Sequence, residues 1–198
     1  MNSKRIAITA ALFLLAACGS DSATNAINGA ISGSLSFNYS GGGGGSFSAT
    51  GGITSAAIAS SPFTTTWAAG FKEATDNSTN IAANIPRTST TSDLTAITVK
   101  GQSTGTFNID VNCLATSVST CNDVTLFIAQ SAGGQTFSYA CSFTSGSITV
   151  STLSSTSAVG IFSGSGVCFT PTGANSAFVV TNGTFNVPLL VNVPGTIR

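Results

Sequence analysis

The sequence contains no histidine, and its 198 residues include only six basic and six acidic side chains. The absence of histidine excludes Ser-His-Asp triads, Cys-His dyads and most zinc and haem sites. The scarcity of basic residues excludes a nucleic-acid-binding surface, which needs clustered Lys and Arg to release counterions from phosphates. Hydrophobic residues make up 42% of the chain, and this content with so little charge argues against intrinsic disorder.

The N-terminus has the form of a secretory signal peptide. Lys4 and Arg5 form a short positive region, and the apolar stretch Ile6–Leu15 follows it. This stretch has about ten residues, whereas a helix needs roughly 20 to span a bilayer. We therefore predict that residues 1–17 are a signal peptide that is absent from the mature protein.

The leader ends in Leu15-Ala16-Ala17-Cys18, which resembles the bacterial lipobox. By this resemblance, cleavage leaves Cys18 as the N-terminus, carrying a diacylglycerol thioether and a further acyl chain such as palmitate. More than one acyl chain anchors a protein stably, because each buried methylene contributes about 0.8 kcal/mol. The residue after Cys18 is Gly19 and not Asp. In bacteria that sort lipoproteins by this position, the resemblance implies an outer-membrane lipoprotein, on either the periplasmic or the surface face. An ordinary signal peptide followed by a chance cysteine is the other interpretation.

The mature part reads as one all-β domain. Residues 18–30 are small and polar and are predicted to be the lipidated N-terminus and a flexible tether, with the domain at 31–198. From residue 31 onwards hydrophobic and polar residues alternate, which is typical of half-buried strands. No window of a dozen residues shows a helical stripe, so we predict a single antiparallel β-sandwich of about ten strands, with a closed β-barrel as the alternative. The 13 phenylalanines are the expected large core side chains.

Turn residues divide this domain into predicted strands. Gly41–Gly45 forms a turn between the first two, and Asp76 with Asn77 lies at the tip of a later hairpin. Later in the chain the predicted strands are Gly105–Cys113, Val124–Gln130, Gln135–Phe143, Ser147–Leu153, Val159–Phe169, Phe178–Val180 and Gly183–Leu190.

Four cysteines remain when Cys18 is set aside: Cys113, Cys121, Cys141 and Cys168. An even number in a secreted chain indicates two disulfides, with three possible connectivities. We favour the sequential pairing, since Cys113 and Cys121 flank a predicted hairpin tip and the other two lie in strand-like runs. A redox or metal site is the alternative, but no pair has CxxC spacing and histidine is absent.

Candidate site residues are few. Glu73, Asp76 and Asn77 gather at a predicted hairpin tip, where oxygen ligands suit calcium, although polar turn residues explain the cluster equally well. Trp67 and Tyr39 are candidates for stacking on a sugar ring. We take Trp67, Glu73, Asp76 and Asn77 as possible loop contacts. No carboxylate pair or SxxK motif stands out, so no catalytic residue, metal ligand or cofactor is predicted.

The segments Val180–Pro188, Ser145–Val150 and Gly160–Gly164 resemble the closing strands of uncharacterised Gly/Ser/Thr-rich β-sandwich lipoproteins of bacteria. With the lipobox, this resemblance implies a fold and a location, and it implies no catalytic residue.

These observations predict a non-catalytic, lipid-anchored protein of the cell envelope. It is expected to be a structural or binding module that contacts a protein or glycan partner through loops, and to meet the membrane through its N-terminal lipid. The turn Gly41–Gly45 and the tip between Cys113 and Cys121 are the expected contact loops, because loops on a rigid scaffold carry function. The alternative is a closed barrel that holds a small apolar ligand, which requires inward faces that leave a cavity.

Overall fold

The computed structural model describes residues 32–53, 64–73, 77–110, 121–131 and 136–190. These residues form ten β-strands, and no helix occurs among them, so the all-β prediction is confirmed. No helix in these ranges is long and apolar enough to cross a membrane. The strands in chain order are β1 (Gly33–Ser40), β2 (Gly45–Gly51), β3 (Trp67–Glu73), β4 (Ser78–Pro86), β5 (Thr91–Lys100), β6 (Gly105–Asn108), β7 (Asp123–Ser131), β8 (Tyr139–Leu153), β9 (Ser157–Phe169) and β10 (Asn175–Leu190).

Seven of the strands close into a barrel, the arrangement predicted from the sequence as the alternative to a sandwich. The ring runs β10–β9–β8–β7–β5–β4–β3, with antiparallel neighbours throughout this path. It closes where β3 pairs in parallel with the end of β10, through Leu189↔Gly70 and Leu190↔Phe71. The β1–β2 hairpin adds to the free edge of β10, and β6 adds to β8. Closure removes unpaired edges from the ring strands, which would otherwise be open to pairing with other chains.

Two of the long strands differ from the prediction, which split each of them in two. β8 is continuous because it shifts register between Phe143 and Ser145, next to Gly146 at φ 133°. β10 is continuous because it bulges before Gly183, with Asn182 at φ 58°. A bulge inserts a residue and bends a strand without ending it. β6 is shorter than predicted and ends at Asn108, and residues 111–120 lie outside the described part of the chain.

The main hydrophobic core is filled by aromatic rings from strands of the ring and from the β1–β2 hairpin. Phe37 of β1 stacks on Phe47 of β2 with ring centroids 5.1 Å apart and meets Phe162 of β9 at 5.5 Å. On the other side, Phe143 and Phe178 lie 5.6 Å apart. Offset and edge contacts of this kind stabilise a core beyond the burial of apolar area alone. The expectation that phenylalanines fill the core is therefore confirmed.

The inward face of β9 leaves room for these rings because it carries glycine. A Cβ at Gly164 would come within 2.6 Å of Phe143 Cδ2 and would overlap the carbonyl oxygen of Ser145. A Cβ at Gly160 would likewise overlap the ring of Phe185. A Cβ at Gly183 on β10 would lie 2.7 Å from the ring of Phe162. The rings therefore lie directly against the strand backbone.

We expect Gly164→Ala to lower the free energy of unfolding by about 1–3 kcal/mol, the range typical of overpacking a well-filled core. Denaturant unfolding of the purified protein measures this change. Ser163→Ala is the matched control, because Ser163 is the adjacent, exposed residue of the same strand, and surface substitutions usually change stability by less than about 0.5 kcal/mol. Equal effects of the two substitutions would contradict the close contact with Phe143.

Candidate functional site at the loop end of the barrel

Three segments meet at one end of the barrel and, with the first residues of β10, line an open pocket of about 290 Å³. They are the turn between β1 and β2, the turn between β9 and β10, and the first residue of β8. The lining residues are Gly41, Gly42, Gly43, Tyr139, Thr170, Ala174, Asn175 and Ser176. None of these eight side chains carries a charge. We call this cavity the loop-end pocket.

The glycine turn can form one wall of the pocket only because its residues lack side chains. All residues from Gly41 to Gly45 have positive φ, between 59° and 154°, a region that L-residues rarely adopt. The N–H of Gly44 donates to the carbonyl oxygen of Gly41 (2.9 Å), and the N–H of Gly42 donates to Ser176 Oγ (3.2 Å). This second bond ties the turn to the start of β10 across the pocket.

The disulfide between Cys141 and Cys168 lies beneath the glycine turn. The two cysteines occupy directly opposite positions on β8 and β9 and are buried in the core. A Cβ at Gly42 would sit 3.0 Å from Cys168 Sγ and 3.2 Å from Cys141 Sγ, so the turn rests closely on the bridge. The predicted pairing of these two cysteines is confirmed.

The second predicted bridge is only partly visible. Cys121 is disulfide-bonded. The predicted partner, Cys113, falls in the range 111–120, so the Cys113–Cys121 bridge and its tip stay predictions.

The opposite wall of the pocket is a tight turn that holds its own backbone groups. Thr170 organises it: its N–H donates to the carbonyl oxygen of Ala174 (2.9 Å), and its hydroxyl oxygen accepts from the N–H of Ala174 (3.2 Å). Gly173, at φ 85°, donates back to the carbonyl oxygen of Thr170 (2.9 Å). The chain then enters β10 with Asn175 and Ser176 at the pocket.

Tyr139 supplies the aromatic surface of the pocket. It is half-buried and packs against the main core, which fixes the position of its ring. A Cβ at Gly42 would lie 3.5 Å from this ring and a Cβ at Gly43 would lie 3.9 Å from it, so the ring is at van der Waals distance from the glycine turn.

Charges near this end of the barrel are paired with each other. Arg87 Nε donates to Asp93 Oδ1, and the same oxygen accepts the N–H of Ala129 (2.9 Å), a residue held at φ 51° in β7. Hydrogen bonding to Asp93 raises the pKa of Arg87, so its charge is fixed. Burial, and then the charge of Asp93, raise the pKa of Tyr39, which keeps this phenol protonated.

The structure does not bring the predicted loop contacts together with this pocket. Trp67 begins strand β3 and is 4% exposed, in a second apolar cluster with Ile53, Ala69 and Phe71. It is therefore a packed strand residue and offers no loop contact. Glu73 ends β3, and its carbonyl oxygen accepts from Gln102 Nε2 (3.0 Å).

Asn77 is exposed in the turn between β3 and β4, whereas Asp76 and Cys18 lie outside the described residues. In the part of the chain that the structure describes, no group of three His, Cys, Asp or Glu side chains is placed to hold a metal ion.

A second exposed surface lies on the outside of the long strands. One row of outward residues runs across five strands: Ser36, Thr184, Ile161, Thr149 and Thr106. Ser36 and Thr184 share a hydrogen bond (3.1 Å), as do Thr106 and Thr149 (3.0 Å), and Ile161 between them is 58% exposed. We call this row the hydroxyl face. Its hydroxyls are partly satisfied by one another, which leaves them less available to a ligand than those at the pocket.

The chain matches no family model, no curated protein and no solved structure. Its function therefore rests on the geometry of the loop-end pocket.

Among the pocket residues, only the glycine turn was singled out by the sequence. No sequence pattern links Tyr139, Asn175 and Ser176, so these residues were missed. They lie at one pocket only because β8, β9 and β10 meet next to the glycine turn.

Proposed function

We propose that the protein is a non-catalytic, lipid-anchored module of the cell envelope that binds a glycan partner through the loop end of its barrel. The observation that carries this proposal is the position of the loop-end pocket, which is built from turns above a filled core. A rigid scaffold that presents a concave site on its loops is a common arrangement for binding.

The composition of the pocket supports binding without chemistry. General acid–base catalysis needs a titratable group within hydrogen-bond reach of the reacting atom. The lining has one titratable side chain, the phenol of Tyr139, and otherwise glycine, alanine, hydroxyl and amide groups. Such groups orient a polar ligand through hydrogen bonds and do not supply a nucleophile with its base.

The packing of the interior supports a surface ligand over an apolar ligand inside the barrel. Phe47, Phe143, Phe178 and Phe185 are among the largest fully buried side chains and occupy the space that an enclosed ligand needs. A glycan suits the loop end because sugars combine hydroxyl groups with apolar C–H faces, and the pocket combines hydroxyls and an amide with the ring of Tyr139.

The anchoring part of the proposal predicts that Cys18→Ser releases the protein from membranes. The native protein should sediment with the membrane fraction, whereas the variant should appear in the soluble fraction, because one substitution removes the site of lipid attachment. Immunoblots of fractionated cells measure this. Protease treatment of intact and lysed cells then separates a surface protein, cut in both, from a periplasmic one, cut only after lysis. A Cys18→Ser protein that stays in the membrane fraction would contradict lipid anchoring.

The binding part is tested with the soluble Cys18→Ser protein on immobilised neutral polysaccharides and envelope glycans. Saturable retention, competed by the free glycan, is the expected result. Retention of an envelope protein without retention on any glycan would replace the glycan partner with a protein partner.

A further inference from the structure

We infer that the loop-end pocket holds a single neutral sugar ring, the terminal unit of a glycan, with Tyr139 as its aromatic wall and Asn175 and Ser176 as its hydrogen-bonding groups. This inference rests on the proposed function and names the unit that the site accepts. It follows from the volume, polar groups, charge and rigidity of the pocket.

The volume fits one ring. The pocket measures about 290 Å³, just below the roughly 300–1,000 Å³ of pockets that enclose drug-sized ligands. A long oligosaccharide exceeds this space, whereas the end of a chain enters it with one sugar and leaves the rest in solvent.

The polar groups at the pocket have unused hydrogen-bonding capacity. The side-chain amide of Asn175, with two N–H donors and one oxygen acceptor, makes no hydrogen bond to the described residues. Ser176 Oγ accepts the N–H of Gly42, and its own hydroxyl proton has no acceptor in the ranges that the structure describes. Both residues line the pocket, so they can exchange hydrogen bonds with the hydroxyl groups of a sugar bound there.

The charge of the site selects a neutral ligand. No lining residue is charged, and the nearby Arg87 is paired with Asp93. A sugar carboxylate at the pocket would find no charged partner among the lining residues, so it would gain no ion pair over a neutral hexose or N-acetylhexosamine.

The pocket is also preorganised. The glycine turn is tied to β10 by the bond from Gly42 to Ser176 and rests on the Cys141–Cys168 bridge, and Thr170 holds the opposite turn. Walls that are already ordered reduce the entropy lost on binding, which matters for a ligand as small as one sugar.

The test titrates the soluble Cys18→Ser protein with methyl glycosides of glucose, galactose, mannose and N-acetylglucosamine, and with glucuronate. Protein-observed NMR or calorimetry provides the readout. At least one neutral glycoside should bind saturably, and at least about tenfold more tightly than glucuronate. In this background, Asn175→Ala and Tyr139→Ala should each weaken binding about tenfold or more, the size of effect typical of a central contact. Tyr139→Phe should retain most of the affinity, because it keeps the ring.

Two comparisons make the result specific to the pocket. Ile161→Ala and Thr184→Ala alter the hydroxyl face and should leave the affinity unchanged. Asn175 is exposed, so Asn175→Ala keeps the fold even if loss of the Tyr139 ring disturbs the core.

The outcomes separate this inference from the proposed function. Glycan retention that survives Tyr139→Ala and Asn175→Ala but falls with Ile161→Ala would overturn the pocket and leave a glycan-binding module. Preference for glucuronate would overturn the neutral ligand. A protein that binds neither polysaccharide nor glycoside would overturn both the inference and the proposed function.

Discussion

Replacing Cys141 and Cys168 together with alanine should lower the free energy of unfolding by at least about 3.6 kcal/mol. The bridge joins residues separated by 27 positions in sequence, and the chain-entropy model assigns about that stabilisation to a loop of this length. Denaturant unfolding of the soluble Cys18→Ser protein under oxidising conditions measures the difference. Both cysteines are buried, so the smaller alanine side chains add a packing loss to the entropic one.

The control for this substitution is the redox state. Under reducing conditions both proteins lack the bridge, and their stabilities should converge to within the packing difference. Equal stabilities under oxidising conditions would show that the bridge does not restrict the unfolded chain. We also expect the double variant to bind sugar more weakly, because Gly42 rests on the two sulfur atoms.

The sequence predicted best those features that depend on alternation within one strand. Leu35 and Phe37 of β1 are both buried in the core, in keeping with the alternation from residue 31 onwards that predicts half-buried strands. Such features are local, since a single strand with one buried face already defines them.

Features that depend on distant pairing were not predictable. Closure of the barrel relies on two residues of β10 that pair in parallel with β3, more than a hundred positions earlier in the chain. Gly146 and the Asn182-Gly183 pair resemble turns in sequence, yet a register shift next to each lies within a continuous strand because neighbouring strands pair on both sides.

The candidate site shows the same division. The sequence singled out the glycine turn as an expected contact loop, and the structure places Gly41, Gly42 and Gly43 of this turn at the loop-end pocket. Trp67 was predicted to be a possible loop contact, whereas the structure buries it in a cluster with Ile53 and Phe71. Ser176 looks like an ordinary turn residue until the hydrogen bond from Gly42 shows what it faces.

Asp123 is the one acidic side chain that the described part of the chain buries almost completely. It begins β7 and is 5% exposed. Its Oδ1 accepts the N–H of Val124 (2.8 Å) and the hydroxyl of Ser142 on β8 (3.1 Å). Burial raises the pKa of Asp123 to about 6, because desolvation of the carboxylate outweighs these two hydrogen bonds, which act in the opposite direction.

This raised pKa predicts a pH dependence of stability with a definite sign. Between the unfolded pKa of 3.8 and the folded value of about 6, the native protein holds a proton that the unfolded chain has released. The contribution of Asp123 is therefore most favourable below pH 4 and declines as the pH rises to about 6, by about 3 kcal/mol in total. Asp123→Asn should remove this decline and make the protein more stable than its parent at pH 7, since the amide oxygen can still accept both hydrogen bonds. Denaturant unfolding at intervals from pH 4 to 7 measures the effect.

Asp110 offers a control of opposite sign. The N–H of Asn122 and the ammonium group of Lys100 (2.9 Å) lower the pKa of Asp110. Its stabilising contribution is therefore present above its unfolded pKa and is lost as the pH falls through the lower folded value. Asp110→Asn should reduce stability at pH 7 and leave the decline between pH 4 and 6 in place. A decline that persists unchanged in Asp123→Asn would assign it to another group, and the buried carboxyl would then be ionised without cost to the fold.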